Sequence, residues 1–476
     1  MAQPADLRSQ ASTPTVHEEP AAQPTAHEER LAWSTIVAYN IPTIGIGFMF
    51  FLIGLQLMKF STDVLLVSPA AMGTIFGVSR LWDAVSDPIA GYLSDRTQTR
   101  LGRRRPWLLA SALPIGAIYW LVWTPSPSLS QGALTAWMAF GVVGFYSAMT
   151  IFVVPHQSLG AELATGYHER SRIFGVRHAL WSLGSVIALS GMYLLIVSEQ
   201  PRETASTLAA LGSLGTIGLI ALSVGHVRER GDYLGRGATS PLAAVRDVLR
   251  NPHARLLLVV FFIENLGAAT IAILTLYIAQ YIVGTPELAP LYILAYMVPS
   301  IVSVPLWMPL ARRFGKKPLW IFSMLLTSAA FGGMFFLEEN SVVLITSLAA
   351  VAGLAAGCGG MVGPSVQADV IDFDEHESGE RKEGAYFAAW NFVFKCAYGI
   401  TLFLTGWVLQ LSGFAPNQEQ TESARLALLS LYSLFPLVCY AIGTLIFARF
   451  RLDEAMHTRI RERLDARALE ARRTGP

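Results

Sequence analysis

Charge is what this chain most lacks. Of its 476 residues only 14% are Asp, Glu, Lys or Arg, against roughly 25% in a soluble domain. Hydrophobic residues make up 53% and the mean hydropathy is +0.45. That balance excludes an ordinary water-soluble enzyme and points to an integral membrane protein. A net charge of +1 excludes a broadly basic nucleic-acid binder. Cysteine is scarce as well: Cys358, Cys396 and Cys439 fall in apolar segments without paired spacing. They read as plain core residues, not as a disulfide framework or metal site. No G-x-x-x-x-G-K-[ST] loop occurs, so an ATP-powered machine is not expected. No basic stretch precedes an apolar core at the N-terminus, so no cleaved signal peptide is expected either.

Residues 1–33 are a different material. The stretch "PTVHEEPAAQPTAHEER" (14–30) is polar, rich in Pro and Glu, and partly duplicated. Its two His-Glu-Glu groups are conceivable metal ligands, but nothing apolar is there to order them, and a disordered cytoplasmic tail is expected. From Trp33 onward the picture changes to apolar stretches of about 20 residues, each long enough to cross a bilayer as a helix. Twelve are expected, with interiors near 34–60, 69–93, 106–124, 132–155, 175–197, 205–226, 256–283, 288–311, 318–337, 341–365, 384–411 and 425–449.

Basic residues alternate with these spans. Arg96, Arg100, Arg103, Arg104 and Arg105 follow the second span, Arg312, Arg313, Lys316 and Lys317 the eighth, and Arg381 and Lys382 the tenth. The intervening links, such as 125–132, are nearly free of them, which places both termini in the cytoplasm. "RLGRRRPW" (100–107) and "RFGKKPLW" (313–320) follow the second span of each half. This internal repeat predicts two pseudo-symmetric six-helix bundles, 34–226 and 256–449, joined by a polar link at 227–255. Asp95, Arg96, Arg103 and Arg104 on one side, and Arg312 and Arg313 on the other, are expected to meet at a cytoplasmic gate. In the tail, 450–476, Leu452, Met456, Ile460 and Leu464 share one face, consistent with a helix on the membrane surface or a solvated, partly helical tail.

The second span breaks the apolar rule. "LWDAVSDPIAGYL" (81–93) carries Asp83 and Asp87, and an ionised Asp at mid-membrane costs roughly 2.5–3.5 kcal/mol. The i, i+4 spacing puts both on one face, where they repel unless a cation, a shared proton or a basic group is present. Arg80 is one local partner, and the pair could merely pin it or cap a helix broken at Pro88. A more distant partner is Lys395 in "WNFVFKCAYG" (390–399), which shares a face with Asn391. A lysine meeting two aspartates across the bundle would act as a built-in cation, displaced when Na+ or H+ arrives.

Three long segments carry a resemblance. "FGVSRLWDAVSDPIAGYLSDRTQTRLGRRRPW" (76–107), "VPHQSLGAELATGYHERSRIFGVR" (154–177) and "ADVIDFDEHESGERKEGAYFAAWNFVFKCAYG" (368–399) resemble the glycoside–pentoside–hexuronide:cation symporters. These are the melibiose-carrier branch of the major facilitator superfamily. The resemblance implies an all-α protein of twelve transmembrane helices, a monomer in a bacterial-type inner membrane. It implies alternating-access symport of a sugar or glycoside with Na+ or H+, and no cofactor beyond that ion. By it, Asp83 and Asp87 match the family's cation-binding aspartates (the ion ligands if Na+ is coupled). Thr150 stands for a hydroxyl ligand, Ser86 for an amide, Lys395 for the helix-11 lysine and Arg177 for the arginine near the sugar. The family's sugar-binding acids, however, fall on Gly47 and Val153.

The polar groups left to bind a solute are few. Asn40, Gln56, His156, Glu264, Asn265, Gln280 and Asn391 lie in or beside the spans, and each could instead be a helix–helix hydrogen bond. His156 could titrate near neutrality, and Glu264 is a costly intramembrane carboxylate. The acidic link Asp369–Glu383 lacks the ligand spacing of a calcium loop and reads as a solvated gating loop. Three functions are weighed: the sugar or glycoside symporter, a carrier of an amphipathic solute such as a lysolipid, and an intramembrane aspartyl hydrolase. The last needs acids on two helices and is disfavoured here, because both lie on one turn.

Overall fold

The computed structural model describes residues 31–163, 167–229, 248–379, 383–452 and 454–474. Among them the chain is helical throughout, with a single isolated bridge between Thr99 and Gly102 as the only extended pairing. In a bilayer this is the simplest way for an apolar chain to satisfy its own backbone. Helices start where the sequence offers a cap. Ser68 accepts from the amide of Ala71 at 3.2 Å before the Pro69–Arg96 helix, and Asn251 accepts from those of His253 and Ala254 before Pro252–Ile278. In each a proline sits just inside, where its missing N–H costs nothing.

Among the described residues, ten helices are long and apolar enough to cross a membrane, eleven with the pair Pro286–Val302 and Val304–Phe314, which bends by 49°. Twelve spans were expected. The remaining one, Pro69–Arg96, runs for 28 residues but carries Arg80, Asp83 and Asp87, so composition alone does not mark it as a span. The first expected span is broken into Trp33–Asn40, Pro42–Leu55 and Leu57–Asp63, and Pro42 removes a ladder donor at the first break.

Helices before residue 227 pack mainly on one another, as do those between 252 and 447, with one large exception. Pro69–Arg96 lies along Glu383–Leu411. Small residues make that approach possible. A Cβ on Gly406 would stand 2.3 Å from the Pro69 carbonyl oxygen, and one on Gly399 would stand 2.5 Å from the Arg80 Cβ. Close backbones gain van der Waals contact, the main attraction between helices in lipid.

The basic links are satisfied within their own halves. Arg103 donates to Glu162 at 2.5 Å, and Arg104 donates to Asp95 and Glu162. Lys316 pairs with Asp369 at 2.5 Å. Arg96 lies over the ring of Tyr92, while Arg312 and Arg313 are exposed. The expected meeting of the two links at one gate is therefore not seen among the described residues, and Arg381 and Lys382 lie outside them. The physical reason is that acids close in the fold already pair with Arg103, Arg104 and Lys316 within their own halves. Hydrogen bonds that tie the two halves together lie at the charged centre and at the opposite end, as between Lys395 and Asp87 and between Tyr281 and Asp63.

Glu229 organises the first link. Its carboxylate accepts from the backbone amides of Arg103, Arg104 and Arg105 at 2.6, 2.8 and 2.6 Å, capping the Arg105–Trp123 helix. Gly102, at φ +108°, is required there because a Cβ would meet that carboxylate at 2.5 Å. Glu229→Ala removes all three bonds and should destabilise the protein by about 1–2 kcal/mol, measured as a lower unfolding temperature, while Glu229→Asp loses less.

The tail folds as the helix Glu454–Thr474 and docks on protein. Leu452 and Ile460 are buried, and His457 Nε2 lies 3.1 Å from Asp372 Oδ2 on the helix Val342–Ser378. The acidic segment from Asp369 to Ser378 is helical, not a loop. Asp369 and Asp372 of this segment face His457 on the tail.

Candidate cation and solute site

The charged centre is built on the seam between the two halves. Lys395 Nζ bonds Asp87 Oδ2 and lies 3.5 Å from Asp83 Oδ2. Arg80 Nη1 donates to the same Asp83 oxygen at 3.3 Å, and its Nη2 donates to the Tyr146 hydroxyl at 2.6 Å. The guanidinium also stacks 3.9 Å from the Tyr146 ring centroid, an arrangement that favours a cation over an aromatic face. Thr150 donates to Asp87 Oδ1 at 2.8 Å, and Ser86 lies 3.5 Å from Thr150. Two acids thus face two bases, and the formal charge of the cluster is zero.

Burial within that cluster is uneven. The Asp83 side chain is 3% exposed, whereas Asp87 is 31% and Lys395 30% exposed. Asp83 Oδ1 is buried and has no hydrogen-bond donor, which is costly for a carboxylate. The Lys395 ammonium lies between the two carboxylates. Asp83, Asp87 and the hydroxyls of Thr150 and Ser86 supply oxygens of the kind that could hold a hard ion.

Beside this centre lies a cavity of about 320 Å³ shared by both halves. Phe50 and Trp181 supply one wall, and Tyr292, Tyr296, Tyr398 and Tyr432 the other. Its hydroxyls are mostly committed already: Tyr398 donates to the Gly54 carbonyl at 2.9 Å, Ser185 to that of Trp181 at 3.1 Å, and Thr275 to that of Ile271 at 2.6 Å. The cavity therefore presents rings and alkyl groups. Tyr398 is the link to the charged centre, since its ring centroid is 5.4 Å from the Arg80 guanidinium carbon.

Several expected solute contacts stand elsewhere. Gly47 lines the cavity, but a Cβ there would meet the Trp181 carbonyl oxygen at 2.4 Å, so helix packing excludes any side chain. Val153 packs in the first-half core. His156 is 1% exposed, stacked on Tyr39 with 4.2 Å between centroids, and its Nε2 lies 2.9 Å from the Tyr39 oxygen. It is a packed interior residue away from the cavity. Glu264 is buried in the second half with its Cγ 3.6 Å from a Cβ position on Gly443, again outside the cavity. Asn40 donates to the Ile36 and Ile173 carbonyls, and Asn265 to that of Phe261. Asn391 is exposed, and Arg177 is half-buried with its carbonyl near Thr43. Gln56 and Gln280 line a second chamber at the end opposite the basic links. Sequence reasoning missed that chamber's ion pair, Lys59 with Asp63 at 2.6 Å. The i, i+4 spacing of the pair at the end of an apolar span was the available signal.

Comparison with known proteins places the chain among transporters. The chain is 27% identical to the isoprimeverose transporter of Lactiplantibacillus pentosus, over 89% of each chain. It is 26% identical to the sodium-dependent lysophosphatidylcholine symporter 1-A of Danio rerio, covering 84% of this chain and 82% of that one. Among solved structures, a bacterial homologue of the human lysosomal transporter Spinster superposes with a TM-score of 0.62 at 12% identity, over 90% of this chain and 96% of that one. That likeness shows the shared fold alone. The family of MFS/sugar transport proteins matches residues 38–454, and the chain, a multi-pass membrane transporter and not an enzyme, belongs to that family.

Proposed function

We propose that this protein couples the entry of Na+ or H+ to the uptake of a glycoside or similar small organic solute bearing an apolar part. The observation that carries the reading is Lys395 held between Asp83 and Asp87, next to a cavity shared by both halves. The basic links face the cytoplasm by the positive-inside rule. The opposite end is tied shut across the halves, so the arrangement is inward-facing.

Coupling follows from charge. A cation joining the neutral cluster makes it positive, so Lys395 is expelled from the carboxylates. Because Lys395 rides on Glu383–Leu411 and the aspartates on Pro69–Arg96, the ion alters the seam that holds the halves together. A solute in the adjoining cavity completes the change through Tyr398 and Arg80. An ion and a solute that each favour the same arrangement bind cooperatively.

The apolar walls also favour a second reading, an amphipathic solute such as a lysolipid. A thermal-shift screen of purified protein separates them, since a ligand of the folded state raises apparent stability. Aryl glycosides such as 4-nitrophenyl glucoside and xyloside, and lysophosphatidylcholine, would be compared with and without Na+ and across pH. Aryl glycosides should stabilise in an ion-dependent manner. A response to lysophosphatidylcholine alone selects the second reading, and no response to either class refutes both.

A further inference from the structure

The chamber at the end opposite the basic links has no part in the coupling just described. It measures about 380 Å³, within the range of small-molecule sites. Gln56, Lys59 and Asp63 come from the first half, and Gln280 and Asn417 from the second; Ser198 and Pro286 form its rim. Lys59 donates to Asp63 at 2.6 Å and to Gln280 Oε1. Tyr281 donates to Asp63 at 2.7 Å. Asn417, at φ +60°, donates to the Asp63 carbonyl at 2.7 Å.

One feature is not explained by stability. The Lys59 and Asp63 side chains are 10% and 6% exposed, and a buried ion pair is usually no better than apolar packing. Asn417 adopts a left-handed backbone, which asparagine tolerates. The polar groups are also incompletely used. Gln56 is 6% exposed, its Oε1 is buried, and nothing donates to it. A buried amide oxygen left without a donor is costly.

We propose that this chamber binds an uncharged polyhydroxylated ligand, a sugar ring. Amides that offer a donor and an acceptor side by side match the paired hydroxyls of a sugar. The central cavity offers mainly rings and alkyl groups, which suit the apolar part of a solute. The chamber lies outside that cavity, one residue along the same helices: Leu55 and Thr275 line the inner space, Gln56 and Leu276 the outer. Both halves contribute, so a sugar bound there opposes their separation at this end.

The test labels Ser198→Cys on the rim with a membrane-impermeant maleimide, in the full chain reconstituted in nanodiscs. Wild type, with Cys358, Cys396 and Cys439, gives the background rate. Methyl glucoside, methyl galactoside or methyl xyloside should slow labelling severalfold. The slowing should persist when Ser185→Trp fills the central cavity, and vanish with Gln56→Leu. Gln280→Met, checked like Gln56→Leu for monodisperse elution, serves as a second variant with the same expected loss. The proposal is overturned if position 198 is not labelled, if none of the three glycosides protects, if protection disappears with Ser185→Trp, or if it survives Gln56→Leu and Gln280→Met.

Discussion

Asp87→Asn leaves a transporter that equilibrates its solute and no longer concentrates it. The substitution keeps the side-chain volume and removes one of the two charges that hold Lys395. Thr150 still finds an oxygen at that position, so the local packing survives. What is lost is the competition between the ammonium and an arriving cation, and with it the only route by which an ion gradient biases the seam. Accumulation in vesicles should fall to simple equilibration under an imposed Na+ or H+ gradient, while solute exchange with no gradient continues. Lys395→Val should uncouple as well, because no ammonium then competes with the arriving ion or is displaced by it. Asp83→Asn should act like Asp87→Asn and also destabilise, since Arg80 loses its ionic partner at 3.3 Å. Continued uphill accumulation by the Asp83→Asn/Asp87→Asn double variant would make both residues structural.

Gly184→Ala should be among the most damaging single-methyl changes in the first half. Its Cβ would lie 2.0 Å from the Ile44 carbonyl oxygen and 3.0 Å from the Phe48 amide nitrogen. Both obstacles are backbone, so the helices Pro42–Leu55 and Tyr167–Val197 must move apart. Overpacking of this kind costs about 1–3 kcal/mol even where neighbours can adjust, and here they cannot turn aside. The expected result is a lower unfolding temperature and poor recovery of monodisperse protein. Gly47→Asp, at the position where the family resemblance would place a sugar-binding acid, meets a similar obstacle in the Trp181 carbonyl and should cost stability without adding sugar affinity. The control is Gly218→Ala, where a Cβ meets nothing within 4 Å; it should be neutral or stabilise by up to about 1 kcal/mol. Equal melting temperatures for the Gly184 and Gly218 variants would show that this helix crossing is not tightly constrained.

The sequence alone determined the membrane class, the helices and the charged centre. Long apolar stretches admit little besides helix in lipid, and an acid pair one turn apart on such a helix demands a partner wherever it folds. Lys395 could be named as that partner because a cation in an apolar stretch carries the same demand. The tertiary structure decided what surrounds them. Gly47 and Gly184 look like any membrane glycines in one dimension; only the approach of the two helices shows that no side chain fits at Gly47. His156 and Glu264 are polar in the sequence, yet packing turns them into their own halves and leaves the cavity to Phe50, Trp181 and Tyr398. The basic links look built to meet each other, but Glu162, Glu229 and Asp369, distant in sequence, fold back and neutralise each one first. Charge and hydropathy are properties a residue carries alone, so they are readable in order along the chain. Which groups meet depends on how helices far apart in sequence cross, and that is fixed by side-chain volume at the crossings.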